Sequence, residues 1–362
     1  MMEVKVTKTT NPKVKPDPAT VPFGVAFTDH MFMMDYDSEN GWQNPRIVPF
    51  GDISLNPGAL VFHYGAEVFE GLKAYRTPSG EVQMFRPAEN FKRMNNSAER
   101  LCLPQFDVDD AVEYLRKFVE VEKDWVPDQY GTSLYLRPFL FGTDADLALH
   151  GISHATFMVI ACVVGSYYKS GLAPVDMLIE MDDVRAVRGG TGYAKCGGNY
   201  AAATRAGEKA AKKGYSQVVW VDGVERKYVE EGGGMNLMFV WDGKLVTPEL
   251  NGSILPGVTR KSILELARSW GMETVERKIT VDELMEGCKN GTVQEAFMCG
   301  TAAVVTPIGG FVRGEEKVVV NHNKIGEMTQ KVYDELTGVQ WGLKEDKFGW
   351  TVKVPLKQER LI

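Results

Sequence analysis

The sequence is poor in cysteine, and its cysteines form no pairing motif. Five cysteines occur in 362 residues, and no two of them stand in a Cys-x-x-Cys arrangement. Neither a disulfide framework nor a cysteine-based zinc site is indicated, and a reducing compartment fits best. His150 and His154 have the spacing of a metal pair, but no third ligand is evident. We therefore expect no bound metal.

Long hydrophobic runs and an excess of basic charge are also missing. No run of about 18 apolar residues exists, which argues against a transmembrane helix. Residues 1–22 lack the apolar core of a signal peptide and the arginines of a transit peptide. The formal net charge is -7, whereas proteins that bind nucleic acid usually carry a basic face. We expect a cytoplasmic protein that binds neither membranes nor nucleic acid.

The composition is that of an ordinary globular protein, with 44% hydrophobic and 25% charged residues. A chain of 362 residues is long for a single core and predicts about two domains. We expect an N-terminal domain over residues 1–168, a linker over 169–175 and a C-terminal domain over 176–362. Strand and helix patterns intermix along the chain, which predicts an α/β or α+β fold.

Three segments give clear secondary-structure signals. Apolar residues recur at helical spacing over 107–127, so this segment is predicted to be a helix packed on a sheet. The run over 155–165 is apolar and β-branched, which is typical of a buried strand. Asp242 and Gly243 interrupt a later apolar segment and predict a hairpin turn.

A single lysine, Lys195, lies among glycines in "GGTGYAKCGGNY", residues 189–200. Glycine allows another group to approach the backbone closely, so this lysine can be held in one position. Lysines that are buried or close to another cation lose their proton more easily and form Schiff bases. The alternative is a glycine-rich turn with a solvated lysine. A P-loop is excluded because no Gly-Lys-Ser/Thr sequence is present.

Three further features could accompany this lysine. Glu231 precedes three glycines and an apolar strand, where a buried carboxylate needs a cation or a protonated nitrogen. Val258 and Thr259 begin a predicted helix after Pro256 and Gly257, so their amides can bind phosphate. A predicted strand ends near Thr301, whose hydroxyl and turn amides can receive an anion. Each signal is weak when taken alone.

The combination of motifs resembles the branched-chain amino acid aminotransferases, which are fold-type IV pyridoxal-phosphate enzymes. The motifs occur in the family's order, and the similarity runs from about residue 23 almost to the C-terminus; they are "FRPAENFKRM", "LCLP", "DWVP", "SLYLRP", "GGTGYAKCGGNY", "EEGGGMN", "LPGVTR" and "GTA". This resemblance implies a homodimer. It also implies a smaller N-terminal α/β domain and a larger C-terminal pseudo-barrel domain.

The resemblance assigns the cofactor pyridoxal 5'-phosphate to named residues. Lys195 would hold it as a Schiff base and act as the general base, and Glu231 would face the pyridine nitrogen. Tyr200 would bind the phenolic oxygen of the ring. The phosphate would be bound by Arg93, the amides of Val258 and Thr259, and the Thr301 hydroxyl. Arg185 and Arg188, just upstream of the lysine, either line this pocket or lie in solvent at a strand end.

The implied reaction moves the amino group of leucine, isoleucine or valine to 2-oxoglutarate, giving branched-chain 2-oxo acids and glutamate. The implied substrate-binding residues are Phe23, Tyr64, Phe69, Tyr135, Arg137, Tyr167, Thr301 and Ala302. Arg137 is expected to bind the distal carboxylate of glutamate and to be held by Tyr135 when leucine is bound. Two alternatives are a lyase of the same fold type and a phosphate-binding module without catalysis.

Overall fold

The computed structural model describes residues 1–165 and 171–355. The chain divides into two compact units, Met1–Tyr167 with Gly338–Ile362, and Tyr168–Thr337. The sequence-based division placed residues 338–362 in the C-terminal domain, and here the structure differs. With that returning segment the two units are similar in length.

The first unit is built on a nine-stranded sheet. Its strands are β1 Lys5–Val6, β2 His30–Asp37, β3 Gly41–Pro49, β4 Glu67–Phe69, β5 Leu72–Arg76, β6 Val82–Phe85, β7 Ser133–Gly142, β8 His154–Val164 and β18 Thr351–Val354. Its helices are α1 Leu60–Tyr64, α2 Pro87–Arg100 and α3 Val108–Val121. The strand order is β1-β3-β2-β8-β7-β5-β6-β18, and β4 also pairs with β7. All these pairings are antiparallel except the one between β1 and β3.

Backbone pairing explains why the end of the chain belongs to the first unit. Strand β18 pairs with β6, with Thr351 opposite Phe85. The side chain of Gln83 donates hydrogen bonds of 3.0 Å to the carbonyls of both Val339 and Gln340. These contacts satisfy polar groups that would otherwise be buried without partners.

The second unit also contains nine strands, and six of them form a closed ring. The strands are β9 Val175–Glu180, β10 Gln217–Val221, β11 Val229–Gly232, β12 Met235–Trp241, β13 Lys244–Pro248, β14 Thr274–Arg277, β15 Val293–Gly300, β16 Val304–Arg313 and β17 Glu316–Val319. The helices are α4 Gly197–Lys212, α5 Val258–Ser269, α6 Val281–Asn290 and α7 Glu327–Gln340, whose last three residues belong to the first unit. The pairings β11-β10-β9-β16-β15-β12 close through β11–β12. This is the pseudo-barrel that the resemblance implies.

Alternating side chains divide the core of this unit into two layers, as strand geometry requires. On β9, Met177 and Ile179 join the larger apolar cluster, whereas Leu178 packs in the cluster that contains residues of α4. On β10, Val219 belongs to the larger cluster and Trp220 to the α4 cluster. The inward and outward faces of both strands are therefore buried.

The three predicted segments adopt their expected structures. Helix α3 begins one residue after the start of the predicted segment but ends at Val121, before the segment does, and strand β8 matches its predicted run to one residue at each end. Asp242 and Gly243 both have positive φ, +48° and +74°, and connect β12 to β13 in a tight hairpin. In the described part of the chain, no helix is long and apolar enough to cross a membrane.

Candidate functional site

The loop that carries Lys195 is attached to helix α4 by one asparagine. Asn199 is buried, and its Nδ2 donates hydrogen bonds of 2.8 Å to the carbonyls of Thr191 and Ala194. The Thr191 hydroxyl donates to Asn199 Oδ1 at 2.8 Å. Gly192 lies so close to Ser253 that a Cβ would come within 2.2 Å of its carbonyl oxygen. A side chain at position 192 would therefore push the lysine loop away.

Lys195 is hydrogen-bonded to Tyr200, the residue that the resemblance assigned to the phenolic oxygen of the cofactor ring. Its half-buried side chain places Nζ 2.7 Å from the hydroxyl of Tyr200, in the first turn of α4. Helix α4 begins at Gly197 and so contains the "GGNY" segment. The amine and the phenol therefore sit on one rigid junction.

Glu231, at the end of β11, is buried and forms an ion pair with Arg185. Its Oε1 also accepts a hydrogen bond of 3.2 Å from Asn236 Nδ2 and one of 3.3 Å from the Leu255 amide. Arg185 Nη2 also donates to the carbonyl oxygens of Gly192, at 2.9 Å, and Ser253, at 2.7 Å. Arg185 thus connects the carboxylate to the lysine loop.

Burial raises the pKa of Glu231 to about 7, because a low-dielectric environment disfavours its charged form. The positive charges of Arg185 and Lys195 and the hydrogen bond from Leu255 act in the opposite direction. Glu230 raises the pKa further. A further cation in contact with Glu231 would lower this pKa.

These residues surround a cleft with an empty volume of about 540 Å³. Its lining includes Arg185, Asn199, Tyr200, Glu231, Gly234 and Leu255. Arg188 lines a different cleft, beside Tyr228 and Lys278, which contains neither Tyr200 nor Glu231. Of the two arginines left open by the sequence, only Arg185 therefore lies at this site.

Helix α5 begins without a side-chain cap. Its N-cap residue is Gly257, and its first turn contains no acidic residue. Val258 and Thr259 are the first two helical residues, and the amides at such positions have no partner within the helix. This N-terminus can receive an anion.

Thr301 and Ala302 lie in the tight turn between β15 and β16. Gly300 pairs with Val304, whose φ of +63° is unusual for a β-branched residue. Strain of this kind concentrates where a backbone conformation matters for function.

In the first unit, Arg93 lies on the buried face of α2 and is paired with Glu70. The guanidinium donates two hydrogen bonds to the carboxylate, Nε to Oε1 at 2.7 Å and Nη2 to Oε2 at 2.8 Å. Asn90, one turn earlier on α2, adds a hydrogen bond of 2.8 Å to Glu70 Oε2. Glu70 is completely buried.

Four of the predicted substrate-binding residues form one cluster in the first unit. Arg137 Nη2 donates to the Tyr135 hydroxyl at 3.1 Å, and the guanidinium carbon lies 4.8 Å from the centre of the Phe69 ring. The Phe23 ring meets Tyr135 edge to face, with 5.0 Å between ring centres. Arg137 Nε is buried and lacks a hydrogen-bond partner within the described residues. This cluster presents a cation bordered by aromatic rings.

Tyr64, a further predicted substrate-binding residue of the first unit, does not join this cluster. Tyr64 is exposed, and its hydroxyl donates to the Leu147 carbonyl at 2.7 Å. Within the described ranges, no hydrogen bond or ring contact joins it to Tyr135 or Arg137. Tyr167 lies outside the described residues.

Sequence reasoning missed Glu70, Gly71 and Asn199. Position 71 requires glycine because the Tyr135 side chain packs against its backbone: a Cβ there would come within 2.0 Å of the Tyr135 hydroxyl oxygen. The available signal was a single carboxylate in the otherwise apolar run "VFEGL". An isolated acid between two strands needs a cationic partner when it is buried.

The groups of the second unit fit pyridoxal phosphate, the cofactor that the resemblance implies. Lys195 offers an amine for the aldehyde, Glu231 a buried carboxylate for the ring nitrogen, and the uncapped start of α5 a site for phosphate. No group of three or more His, Cys, Asp or Glu side chains in the described ranges could hold a metal ion.

Comparison with known proteins gives a consistent result. Residues 67–310 match the family model of amino-transferase class IV. The chain is 47% identical over 351 residues to branched-chain-amino-acid aminotransferase 2 of Bacillus subtilis, covering 97% of each chain. The crystal structure of Escherichia coli branched-chain amino acid aminotransferase superposes with a TM-score of 0.75, at 28% identity, over 90% of this chain and 99% of that one.

A second solved structure contains a ligand. It is a T.th. branched-chain amino acid aminotransferase in complex with N-(5'-phosphopyridoxyl)-L-glutamate. It superposes with a TM-score of 0.72, at 26% identity, over 90% of this chain and 98% of that one.

The raised pKa of Glu231 predicts a pH-dependent stability in the cofactor-free protein. A folded-state pKa of about 7 against an ordinary value of 4.5 means that the folded state holds this proton more tightly. The free energy of unfolding should therefore fall as pH rises from about 4.5 to about 7 and then level off. The variant Glu231→Gln has no carboxyl group at this position, so its stability should not change with pH for this reason.

Urea unfolding at pH 5 and pH 8 measures the effect. Wild type should lose about 2 to 3 kcal/mol more than Glu231→Gln between these pH values, from about 1.4 kcal/mol for each pKa unit. Equal losses in the two proteins would show that Glu231 titrates normally.

Proposed function

Because the chain belongs to the class IV aminotransferase family, we propose that it transfers the amino group of leucine, isoleucine or valine to 2-oxoglutarate, giving branched-chain 2-oxo acids and glutamate. The observation that carries this proposal is the hydrogen bond of 2.7 Å between Lys195 and Tyr200, beside the cleft that contains Glu231. The names of the relatives support the branched-chain substrates, and the glutamate-derived ligand of one structural neighbour supports the second substrate.

The cofactor in this proposal is pyridoxal phosphate, bound to Lys195 as a Schiff base. When bound, it supplies an electrophilic carbon and a ring that accepts electrons. With the cofactor bound, Lys195 Nζ would act as the general base for the proton on the substrate Cα. The Tyr200 hydroxyl, within hydrogen-bond distance of Nζ, orients this amine.

Glu231 supplies the negative charge opposite the ring nitrogen. In the cofactor-free protein its raised pKa leaves it partly protonated at neutral pH. A positively charged nitrogen in contact with it would lower that pKa and stabilise the ion pair in a buried environment. Arg185 holds the carboxylate in place through the ion pair described above.

Three groups are proposed to bind the cofactor phosphate. Arg93 provides a planar guanidinium, which suits phosphate oxygens because it donates several hydrogen bonds in a fixed geometry. The amides of Val258 and Thr259 provide the positive end of the α5 dipole. The Thr301 hydroxyl adds a further donor.

Arg137 explains how one pocket accepts both an aliphatic side chain and glutamate. The distal carboxylate of glutamate would lose its hydration in an apolar pocket, which costs several kcal/mol unless a cation pairs with it. The unpartnered Arg137 Nε provides such a contact. With leucine bound, the guanidinium keeps its hydrogen bond to Tyr135 and its position over Phe69.

We also propose a cytoplasmic homodimer. Phe62, Leu147 and Leu149 are 60%, 65% and 81% exposed. They lie on α1 and on residues 145–149, which are joined by a bridge between Ala59 and Ala145 and by the hydrogen bond from Tyr64 to Leu147. Exposed apolar surface of this kind marks an interface. All five cysteines are free, which suits a reducing compartment. Cell fractionation would test the cytoplasmic location.

Covalent labelling tests the role of Lys195. After incubation with pyridoxal phosphate and reduction with borohydride, peptide mass spectrometry should find the phosphopyridoxyl group on Lys195. Lys195→Ala should carry no label at this site and show no transaminase activity, because one amine is both the attachment point and the base. Lys73→Met is the matched control, since burial lowers the pKa of Lys73 to about 8 and makes it the competing amine. A label that persists in Lys195→Ala and is lost in Lys73→Met would refute the assignment.

Replacing Arg137 should separate the two substrates. Arg137→Met should weaken the glutamate half-reaction by about 1.5 to 3 kcal/mol, the range for a hydrogen bond to a charged group. The leucine half-reaction should change much less. Single-turnover absorbance measurements with each amino acid give the comparison. Equal losses would mean that Arg137 is structural or binds the α-carboxylate that both substrates share.

Light scattering tests the dimer. Wild type should have about twice the 40.2 kDa mass of one chain. Phe62→Asp should shift the mass toward one chain, because it places a charge in the proposed interface. Leu343→Asp is the control, since Leu343 is 55% exposed but lies elsewhere in the sequence. A monomeric wild type, or an unchanged Phe62→Asp dimer, would contradict this interface.

A further inference from the structure

The strongest unassigned feature is the buried carboxylate of Glu70. It is completely buried and accepts two hydrogen bonds from Arg93, one from the Asn90 amide group and one of 3.1 Å from the Gly71 backbone amide. A buried charge with this many donors is held in one geometry. Glu70 therefore fixes the group to which it is bound.

That group is the guanidinium of Arg93. The two hydrogen bonds from Nε and Nη2 form a fork that sets both the position and the plane of the guanidinium. A lysine at position 93, or an arginine without Glu70, would keep the charge but lose this orientation.

The residues on either side of Glu70 in the chain are themselves fixed by packing. Phe69 ends β4, opposite Phe139 on β7, and its ring supports Arg137. Gly71 packs against the Tyr135 hydroxyl so closely that no side chain fits. The carboxylate is thus attached to a short segment that cannot move independently of the substrate-side cluster.

We propose that Glu70 is a positioning residue for the cofactor phosphate: it fixes the position and plane of the Arg93 guanidinium that would bind the phosphate oxygens. This inference rests on the proposed function, because it assumes that Arg93 binds the phosphate. Glu70 itself does not touch the cofactor. Its contribution is to remove the orientational freedom that Arg93 would otherwise lose on binding.

The test compares pyridoxal phosphate with pyridoxal, which lacks the phosphate. Full-length protein freed of cofactor is titrated with each compound, and the absorption band of the lysine-bound form gives the two dissociation constants. Their ratio, Kd for pyridoxal over Kd for pyridoxal phosphate, measures the phosphate contribution. Glu70→Asp keeps the negative charge and shortens the side chain by one methylene group, so it changes geometry without changing net charge.

In Glu70→Asp the ratio should fall at least tenfold, with the affinity for pyridoxal nearly unchanged. Glu70→Gln should give a similar fall if it folds, which far-ultraviolet circular dichroism will show. Glu122→Gln is the matched control, because it removes another buried carboxylate of the same unit, paired with His30 and remote from Arg93 in sequence. The control should leave the ratio unchanged.

The outcomes separate this inference from the proposed function. A wild type without the lysine-bound band would contradict the proposed function itself. A wild type with a large ratio that Glu70→Asp leaves unchanged would overturn only the role of Glu70. Equal loss of affinity for both compounds would also overturn it, since general destabilisation does not distinguish the phosphate.

Discussion

The buried ion pair between Arg185 and Glu231 is the interaction on which the arrangement of the second unit depends. Burying two charges is costly, and the cost is offset only when geometry and additional hydrogen bonds are good. Here Arg185 also donates to two backbone carbonyls, and Glu231 accepts from Asn236 and Leu255. Strand β11, the lysine loop and the segment before α5 are therefore fixed to one another, and Lys195 is held beside its carboxylate.

The first unit also contains a buried ion pair. Glu70 and Arg93 form a buried pair whose carboxylate accepts further hydrogen bonds from Asn90 and a backbone amide. In both units a glycine comes directly after the acid. Because a buried charge without its partner is unstable, each pair specifies one local arrangement. Such preorganisation is what a site for a charged cofactor requires.

Part of this site was indicated by local sequence, because glycines surround Lys195 and follow Glu231. Tyr200, Tyr135 and Arg137 were assigned only by the resemblance to a known family. Contacts over long sequence separations were not visible. The Arg185–Glu231 and Arg93–Glu70 pairs depend on how strands and helices pack, which spacing does not reveal. Likewise, the four residues of β18 pair with β6, far earlier in the chain, so residues 338–355 were assigned to the wrong unit by sequence alone.

The central claim is that a site centred on Lys195 transfers an amino group from a branched-chain amino acid to 2-oxoglutarate. The most direct measurement supplies the protein with pyridoxal phosphate, 2-oxoglutarate and leucine labelled with nitrogen-15, and follows the label by mass spectrometry. The account predicts labelled glutamate, formed in equal amount to the branched-chain 2-oxo acid. Labelled ammonia without labelled glutamate, or no consumption of leucine, would contradict it.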